Sequence, residues 1–450
     1  MSEALARKLC RRLNEAGHSA YVVGGWTRDS LLGRPSGDLD LATSAHPEQV
    51  TAIFDRVHPT GLAHGTVTVL ADEQPVEITT YRREGLYSDG RRPDSVTFVS
   101  SIEEDLARRD FTVNAIAWEP LEDRYIDPFD GMADLQTHTL RAVGKPEERF
   151  REDGLRLLRG MRFASSHHLM PAPGLEQAMQ VSKDALKGIA SERIEREFSL
   201  LFERAEQPSI GLSLALRCGF FEFVLPELLP LVGQAQNRHH AFDCWQHTLA
   251  AVDAVPCGHV AVRWAALLHD LGKPHSAEEH EQNAGEYRFF GHEKISLEQT
   301  RQIGERLRFS GHRRRRVEGL VATHMLHPNS DWTEAALRRL LRKIEPQNLD
   351  DYLLLKRADI RAKGTPDVPG ILRDVDEVEL RLRAELDKGS ALSRKALAVD
   401  GRQLCAAFNR PAGAWLGPLL AYLLEQVIED PSRNDEEGLL ALAEKWLEGF

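Results

Sequence analysis

Polar and apolar positions follow two rhythms along this chain, and the point where the rhythm changes divides it. Residues 3–16 carry apolar side chains at helical spacing and predict an amphipathic helix. Ala20 to Val23 predicts a strand, Asp29 to Leu32 the opening of a helix after the Gly24-Gly25 turn, and Asp38 to Ala42 a second strand. Thr66 to Leu70 and Val76 to Thr80 alternate or run β-branched and predict two more strands. Residues 82–94, rich in Arg, Gly, Asp and Pro, predict a mobile loop. The first 140 residues or so therefore read as a small α/β domain with a mixed sheet. From about Glu147 onward the patterns turn helical, with few β runs and helix stops at Pro or Gly. Pro-containing stretches at 226–232 and 364–370 suit boundaries, and the chain shows no internal repeat or long low-complexity segment.

Composition narrows the class. A chain of 450 residues with 42% apolar and 28% charged residues suits a globular protein of two or more domains. It has no unbroken apolar span of about 18 residues, so no membrane helix is expected, and its N-terminus lacks the apolar core of a signal peptide. The five cysteines, Cys10, Cys218, Cys244, Cys257 and Cys405, are scattered without a CxxC pair, which predicts reduced thiols and a cytoplasmic location. A net charge of −12 argues against non-specific DNA binding but leaves RNA open, because local patches set the field at a groove. Arg313-Arg314-Arg315-Arg316 and Arg338-Arg339 with Arg342-Lys343 are such patches, or else solvated helix faces.

The chemistry concentrates first in Val23-Gly24-Gly25-Trp26-Thr27-Arg28-Asp29 and Gly37-Asp38-Leu39-Asp40-Leu41. On a strand, residues i and i+2 point to the same side. Two carboxylates so placed repel each other and call for a hard cation such as Mg²⁺, which takes oxygen ligands and phosphates. Gly24 and Gly25 let backbone N–H groups approach a phosphate chain, and Arg28 adds a cation. Glu77, on the later strand, is either a third carboxylate at the metals or a partly exposed strand residue. Arg108-Arg109 ahead of Asp110 suits phosphate or ribose contact at a helix start, although a surface Arg pair reads the same way. Together these features suggest metal-assisted nucleotidyl transfer.

Four segments in this order, Gly24-Gly25-x-x-Arg28-Asp29, Asp38-x-Asp40, Arg108-Arg109-Asp110-Phe111-Thr112-x-Asn114-Ala115 and Glu152-Asp153-x-x-Arg156, resemble the bacterial class II tRNA nucleotidyltransferases. These are the CCA-adding enzymes, related to bacterial poly(A) polymerases. The region from Val399-Asp400-Gly401-Arg402 to Arg433-Asn434 resembles the family's C-terminal part. The resemblance implies an α+β fold, with a mixed-sheet head (1–140) followed by an all-helical neck (141–228), body (229–365) and tail (366–450). It places Gly25, Arg28, Arg109, Asp153, Arg156, Arg159 and Arg162 at nucleotide-contacting positions and Asp38 and Asp40 at the Mg²⁺ positions. It implies tRNA, CTP and ATP as partners.

Arg151 to Arg162 predicts one helix, on which Asp153 and Arg156 share a face. The pair is either an intrahelical salt bridge or a reader of bases. Cytosine and adenine each offer an amino donor beside a ring-nitrogen acceptor, matching Asp153 and Arg156. Uracil and guanine present the reverse polarity, at a cost of several kcal/mol for buried charged groups left unpaired. Steps of three residues drift by about 60° each, so Arg162 falls about half a turn from Asp153. Gly154 and Gly160 weaken such a helix by roughly 1 kcal/mol each against Ala and would leave it adjustable.

A second constellation comprises His247, His269-Asp270, His292, His324 and Asp359. It resembles the HD metal-phosphohydrolase pattern, which makes His247, His269, Asp270 and Asp359 ligands of a divalent metal of unidentified kind. His292 and His324 extend the site toward a second ion. A degenerate, metal-free helical body is the alternative. His239, His240, His312 and His327 fall outside the pattern and are expected at the surface. By the same resemblance, an active HD site would trim 2′,3′-cyclic phosphates or related ends.

The leading expectation is a tRNA 3′-end nucleotidyltransferase that adds or repairs CCA without a nucleic-acid template. A poly(A) polymerase is a close relative but should lack the histidine cluster and carry a basic tail, whereas Glu425, Glu429, Asp430, Asp435, Glu436 and Glu437 make this one acidic. By the same resemblance, the intact 82–94 stretch corresponds to a loop that matters in the family for the switch to ATP, which disfavours an enzyme adding C alone and leaves one adding A alone open. From a different class comes a phosphohydrolase whose head merely holds nucleotide, or a non-catalytic tRNA-binding protein.

Overall fold

The structure is a computed structural model that describes residues 2–35, 37–84, 96–238, 240–279, 286–389 and 392–449. Most of the loop expected at 82–94, and His239, lie outside the described residues. The chain forms two compact units, Met1–Leu229 and Pro230–Phe450.

The first unit is built on a sheet. Strands β1 (Ala20–Val23), β2 (Asp40–Thr43), β3 (Val57–Gly61), β4 (Thr66–Ala71) and β5 (Gln74–Thr80) lie in the order β3-β4-β5-β2-β1. Ala117–Glu119 and Arg124–Ile126 complete seven strands among the described residues. The β2–β5 pair is parallel and the other pairs are antiparallel, so the sheet is mixed. Helix Glu3–Glu15 starts at Ser2, whose hydroxyl accepts from the Leu5 N–H. It buries Leu5, Leu9 and Leu13 in a core shared with Val22, Leu41, Val67 and Ile78. A second core, with Val23, Ala42, Tyr81, Leu106 and Ala117, accounts for other strand residues. The alternation of β residues between two cores fixes the strand register.

Two local departures from expectation shape the site. The helix after β1 spans Gly25–Leu31 and so begins four residues before Asp29, because Gly24 takes φ 74° and turns the chain straight from strand to helix. The second strand begins at Asp40, paired with Val23, the last residue of β1. Since β1 turns away at Gly24, Asp38 has no partner there and precedes the strand. The i, i+2 strand argument for Asp38 and Asp40 therefore does not hold.

The helix expected over 151–162 is two helices, Pro146–Glu152 and Leu155–Ser166. Asp153 between them is extended, at φ −142° and ψ 106°. Gly154 is not a point of adjustability. A Cβ there would lie 2.3 Å from the Ala185 carbonyl oxygen, so the break is set by backbone packing. At Gly160 a Cβ would lie 2.4 Å from Met179 Cε.

The second unit is mostly helical. A short antiparallel ribbon, Ala277–Glu279 with Tyr287–Phe289, lies within it, and a parallel one, Thr139–Leu140 with Met170–Pro171, within the helical part of the first unit. Each gives partners to backbone groups of segments crossing between helices. The arginine runs are engaged in ion pairs within the unit. Arg338 is buried on Glu385, Arg339 meets Glu425 and Glu429, and Arg316 meets Asp351. For these three, neither a free basic patch nor a purely solvated face describes the outcome. Among the described residues no helix is long and apolar enough to cross a membrane.

Candidate active site and metal cluster

The register of the sheet assembles the first site. Val23 pairs with Asp40, so the Gly24-Gly25 turn and Asp40 lie at one end of adjacent strands. Asp40 also pairs in register with Glu77, which brings both carboxylates to the same face of the sheet. Burial, reinforced by Glu77 and Asp38 and opposed by Arg109, pushes the Asp40 carboxyl up to about 6. Three acidic groups thus crowd together against one guanidinium, a donor set suited to a hard divalent cation.

Two cavities meet here. One of about 580 Å³ is lined by Gly24, Gly25, Arg28, Asp40, Arg109, Asp153, Arg156, Arg159 and Arg162, among others. The other, about 450 Å³, holds Asp38 and shares Gly25, Arg28 and Asp40 with the first. Glu77 is exposed and outside both linings. Every nucleotide-contacting position expected from the sequence therefore falls on one cavity wall.

The side chains on that wall are held by a network. Arg28 is 5% exposed, pairs with Asp29 and donates to Asn114 Oδ1 at 2.6 Å. Asp110 is not a helix cap, and the following turn, Thr112–Asn114, is capped by Phe111. Its carboxylate accepts from Arg159 Nε at 2.6 Å, Asn114 Nδ2 at 3.1 Å and the Phe111 N–H at 2.8 Å. Burial alone would raise its pKa, but Arg159, Asn114 and Arg156 outweigh that and hold the carboxyl well below the usual range. Buried Asp105 anchors both Arg108 and Arg109.

Asp153 and Arg156 are not neighbours on one helical face, because Asp153 stands in the break. Asp153 Oδ1 accepts from the Leu155 N–H at 3.0 Å, and Oδ2 lies 2.7 Å from Arg193 Nη2. Arg156 donates to Glu152 Oε2 at 2.5 Å and to the carbonyls of Arg149 and Arg108. Neither the predicted salt bridge nor the predicted helix face describes the pair; they converge on the cavity from separate supports. Arg162 reaches the same wall and lies 2.6 Å from Glu197.

Sequence reasoning missed Arg193, Asn114 and Arg204. Asn114 stood in a quoted segment but carried no assigned role. Arg193 and Arg204 sit in helix Ser191–Arg204, whose alternating charges read as a solvated surface.

The second site lies wholly in the second unit. His247 comes from helix Cys244–Ala254, His269 and Asp270 from the end of Val260–Leu268, and His292 from the start of His292–Arg306. His324 caps Gly311–Thr323, and Asp359 lies on Leu349–Ala362. Gly272 permits this convergence, since a Cβ there would meet the His292 carbonyl at 2.2 Å.

Two groups form within the cluster, His247, His269 and Asp359 in one and Asp270, His292 and His324 in the other. Each imidazole points Nδ1 at a backbone carbonyl: His247 at Ala362, His269 at Ala266, His292 at Phe289 and His324 at Val321. That orientation places the N–H on Nδ1 and the lone pair on Nε2. The Nε2 atoms of His247 and His269 then face carboxylate oxygens of Asp359 and Asp270 at 3.2 and 3.1 Å, with no hydrogen bond. The Nε2 atoms of His292 and His324 face each other at 3.1 Å. Burial, with help from His269, lowers His324 to about 3, so it does not supply the missing proton. The inward Nε2 atoms and carboxylates form donor sets that fit divalent metal. Against burial, Asp270 and Asp359 raise the pKa of the His269 imidazole, a crowding of negative charge that a cation held there would relieve. Lys273 Nζ sits 2.7 Å from Asp270 Oδ2.

Two histidines expected at the surface line the adjoining cavity. His240 is half-buried, with its ring centre 5.1 Å from that of His247. Exposed His327 is bonded to Lys356 at 2.8 Å. His312 is exposed as expected.

Residues 20–141 match the poly A polymerase head domain, 168–231 the probable RNA and SrmB-binding site of polymerase A, and 239–363 the HD domain. The CCA-adding enzyme of Enterococcus faecalis is 32% identical over 441 residues, covering 98% of this chain and 95% of its own. That of Anoxybacillus flavithermus is 32% identical over 440 residues, covering 96% and 95%. The crystal structure of the Bacillus stearothermophilus CCA-adding enzyme in complex with CTP superposes with a TM-score of 0.75 at 28% identity, covering 99% of this chain and 98% of its own. With the head, the arginine-lined cavity and the histidine cluster all in place, this chain belongs to the CCA-adding enzymes, the tRNA nucleotidyltransferases.

Proposed function

We propose that this chain builds and repairs the CCA end of tRNA from CTP and ATP, without a nucleic-acid template, in the cavity between Asp40 and Asp153. The observation that supports this most is one cavity wall on which Asp40, crowded from outside that wall by Asp38 and Glu77, stands with Asp153, Arg156 and eight further arginines. Mg²⁺ held by Asp38 and Asp40, with Glu77 alongside, would activate the tRNA 3′-hydroxyl and neutralise charge on the α-phosphate and the departing pyrophosphate. Arg28, Arg109 and Arg159 offer positive charge to the triphosphate, and the Gly25 backbone allows its close approach. Asp153 accepts from the amino group of C or A while Arg156 donates to the ring nitrogen. Asp153 keeps its supports because a carboxylate oxygen carries two lone pairs, and Arg156 because three acceptors leave two of its five N–H groups to spare. The free cysteines suit a reducing cytoplasm.

The histidine cluster we assign to metal-dependent hydrolysis of phosphate esters at RNA ends, such as 2′,3′-cyclic phosphates. A divalent metal there would lower the pKa of the attacking water. Asp270 and Asp359 balance its charge, and the carbonyls behind each imidazole hold the rings in the ligating orientation.

Labelled CTP and ATP, offered separately to tRNAs lacking all, one or none of the three terminal nucleotides, test the assignment. The proposal predicts CMP addition to the first, AMP addition to the second and nothing on the third. AMP addition without CMP addition would make it an A-adding enzyme.

A further inference from the structure

The cavity beside the histidine cluster encloses about 330 Å³ and is lined by two unlike sets of side chains. One set is polar and includes Asp270, His292, His324 and Asp359. The other is apolar, Phe289, Phe290 and Met325. Phe290 is 72% exposed and Met325 43% exposed. The Phe290 ring contacts no other ring among the described residues. Half-buried Lys363 lines the same cavity and has no ion-pair partner among the described residues.

A centre for bare phosphate or a small phosphate ester needs cations and metal, and an apolar shelf adds nothing to it. A free aromatic face at the edge of a polar centre suits a ligand with one flat apolar part and one anionic part. Every nucleobase has a π-face, and stacking on an aromatic side chain is tolerant of base identity. Lys363 provides a charge for the phosphate.

We propose that Phe290 is a nucleobase-stacking shelf, which makes the histidine cluster prefer phosphate carried by a nucleoside. The inference rests on the phosphohydrolase reading above for the reaction but not for the binding. The base lies on Phe290 and the phosphate faces Lys363 and the histidines. Phe290 is then the specificity-determining residue of this second site.

The test compares wild type with Phe290→Ala and Phe290→Trp as full-length protein. Calorimetric binding of adenosine 2′-monophosphate should weaken about tenfold or more in Phe290→Ala, the range for loss of one stacked base, and be restored in Phe290→Trp. In hydrolysis, KM for adenosine 2′,3′-cyclic phosphate should rise by a similar factor with kcat nearly unchanged. KM for glycerol 2-phosphate, which has no base, should stay constant, and CMP and AMP incorporation into tRNA should be unaffected. Unchanged nucleotide binding in Phe290→Ala overturns the shelf, as does an equal loss for glycerol 2-phosphate. Weakened binding in a protein that hydrolyses neither substrate supports the shelf and overturns the phosphohydrolase reading instead.

Discussion

At the scale of single residues, the head site is a balance of charges held out of water. Asp40 is the clearest case, because burial, Glu77 and Asp38 lift its carboxyl to about 6 against the opposing Arg109. A carboxyl whose folded pKa exceeds its unfolded value binds more protons in the folded state between the two. In metal-free protein, its contribution to stability is therefore present below about pH 4 and lost as pH rises through about 6. The loss is on the order of 2–3 kcal/mol. Urea denaturation in chelator should show Asp40→Asn removing this slope, and added Mg²⁺ at pH 7 should restore stability to wild type but not to the variant. Base choice is the second residue-scale matter. Asp153→Ala or Arg156→Ala should raise UTP and GTP incorporation relative to CTP and ATP by about tenfold or more, the worth of one charged hydrogen-bond pair. Unchanged selectivity in both variants would remove the base-reading role.

At the scale of elements, the apolar rhythm predicts β1, β4 and β5 and the first helix well, because each alternates or repeats toward one of two cores. It misses what depends on distant partners. Asp38 looks like a strand residue until β1 is seen to turn away at Gly24. Arg151 to Arg162 reads as one helix because nothing local announces that Ala185 packs against Gly154. The helix containing Arg193 looks solvated because its partner, Asp153, is 40 residues away. The segments that line the head cavity were legible as motifs, whereas the supports behind them were not. The packing reading makes a ranked prediction. Gly154→Ala should lower stability by about 1–3 kcal/mol, the usual overpacking range, because the contact at 2.3 Å is with backbone. Gly160→Ala should cost less, since Met179 Cε is the movable end of a flexible side chain. Equal costs in urea denaturation would mean that side-chain and backbone clashes relax alike.

At the scale of the whole molecule, the two cavities lie in different compact units, and each is lined by residues of its own unit. His269→Ala should therefore abolish phosphatase activity while leaving CMP and AMP incorporation within about twofold, and loss of both would mean that the sites are not separable. The account stands or falls on the head carboxylates. The most direct measurement is the rate of CMP incorporation from CTP into tRNA lacking its terminal nucleotides, in wild type and in Asp40→Ala that retains its fold by circular dichroism. The account predicts a loss of about a thousandfold or more, consistent with removing an electrostatic group that acts on the transition state. Incorporation at a rate close to wild type would contradict it.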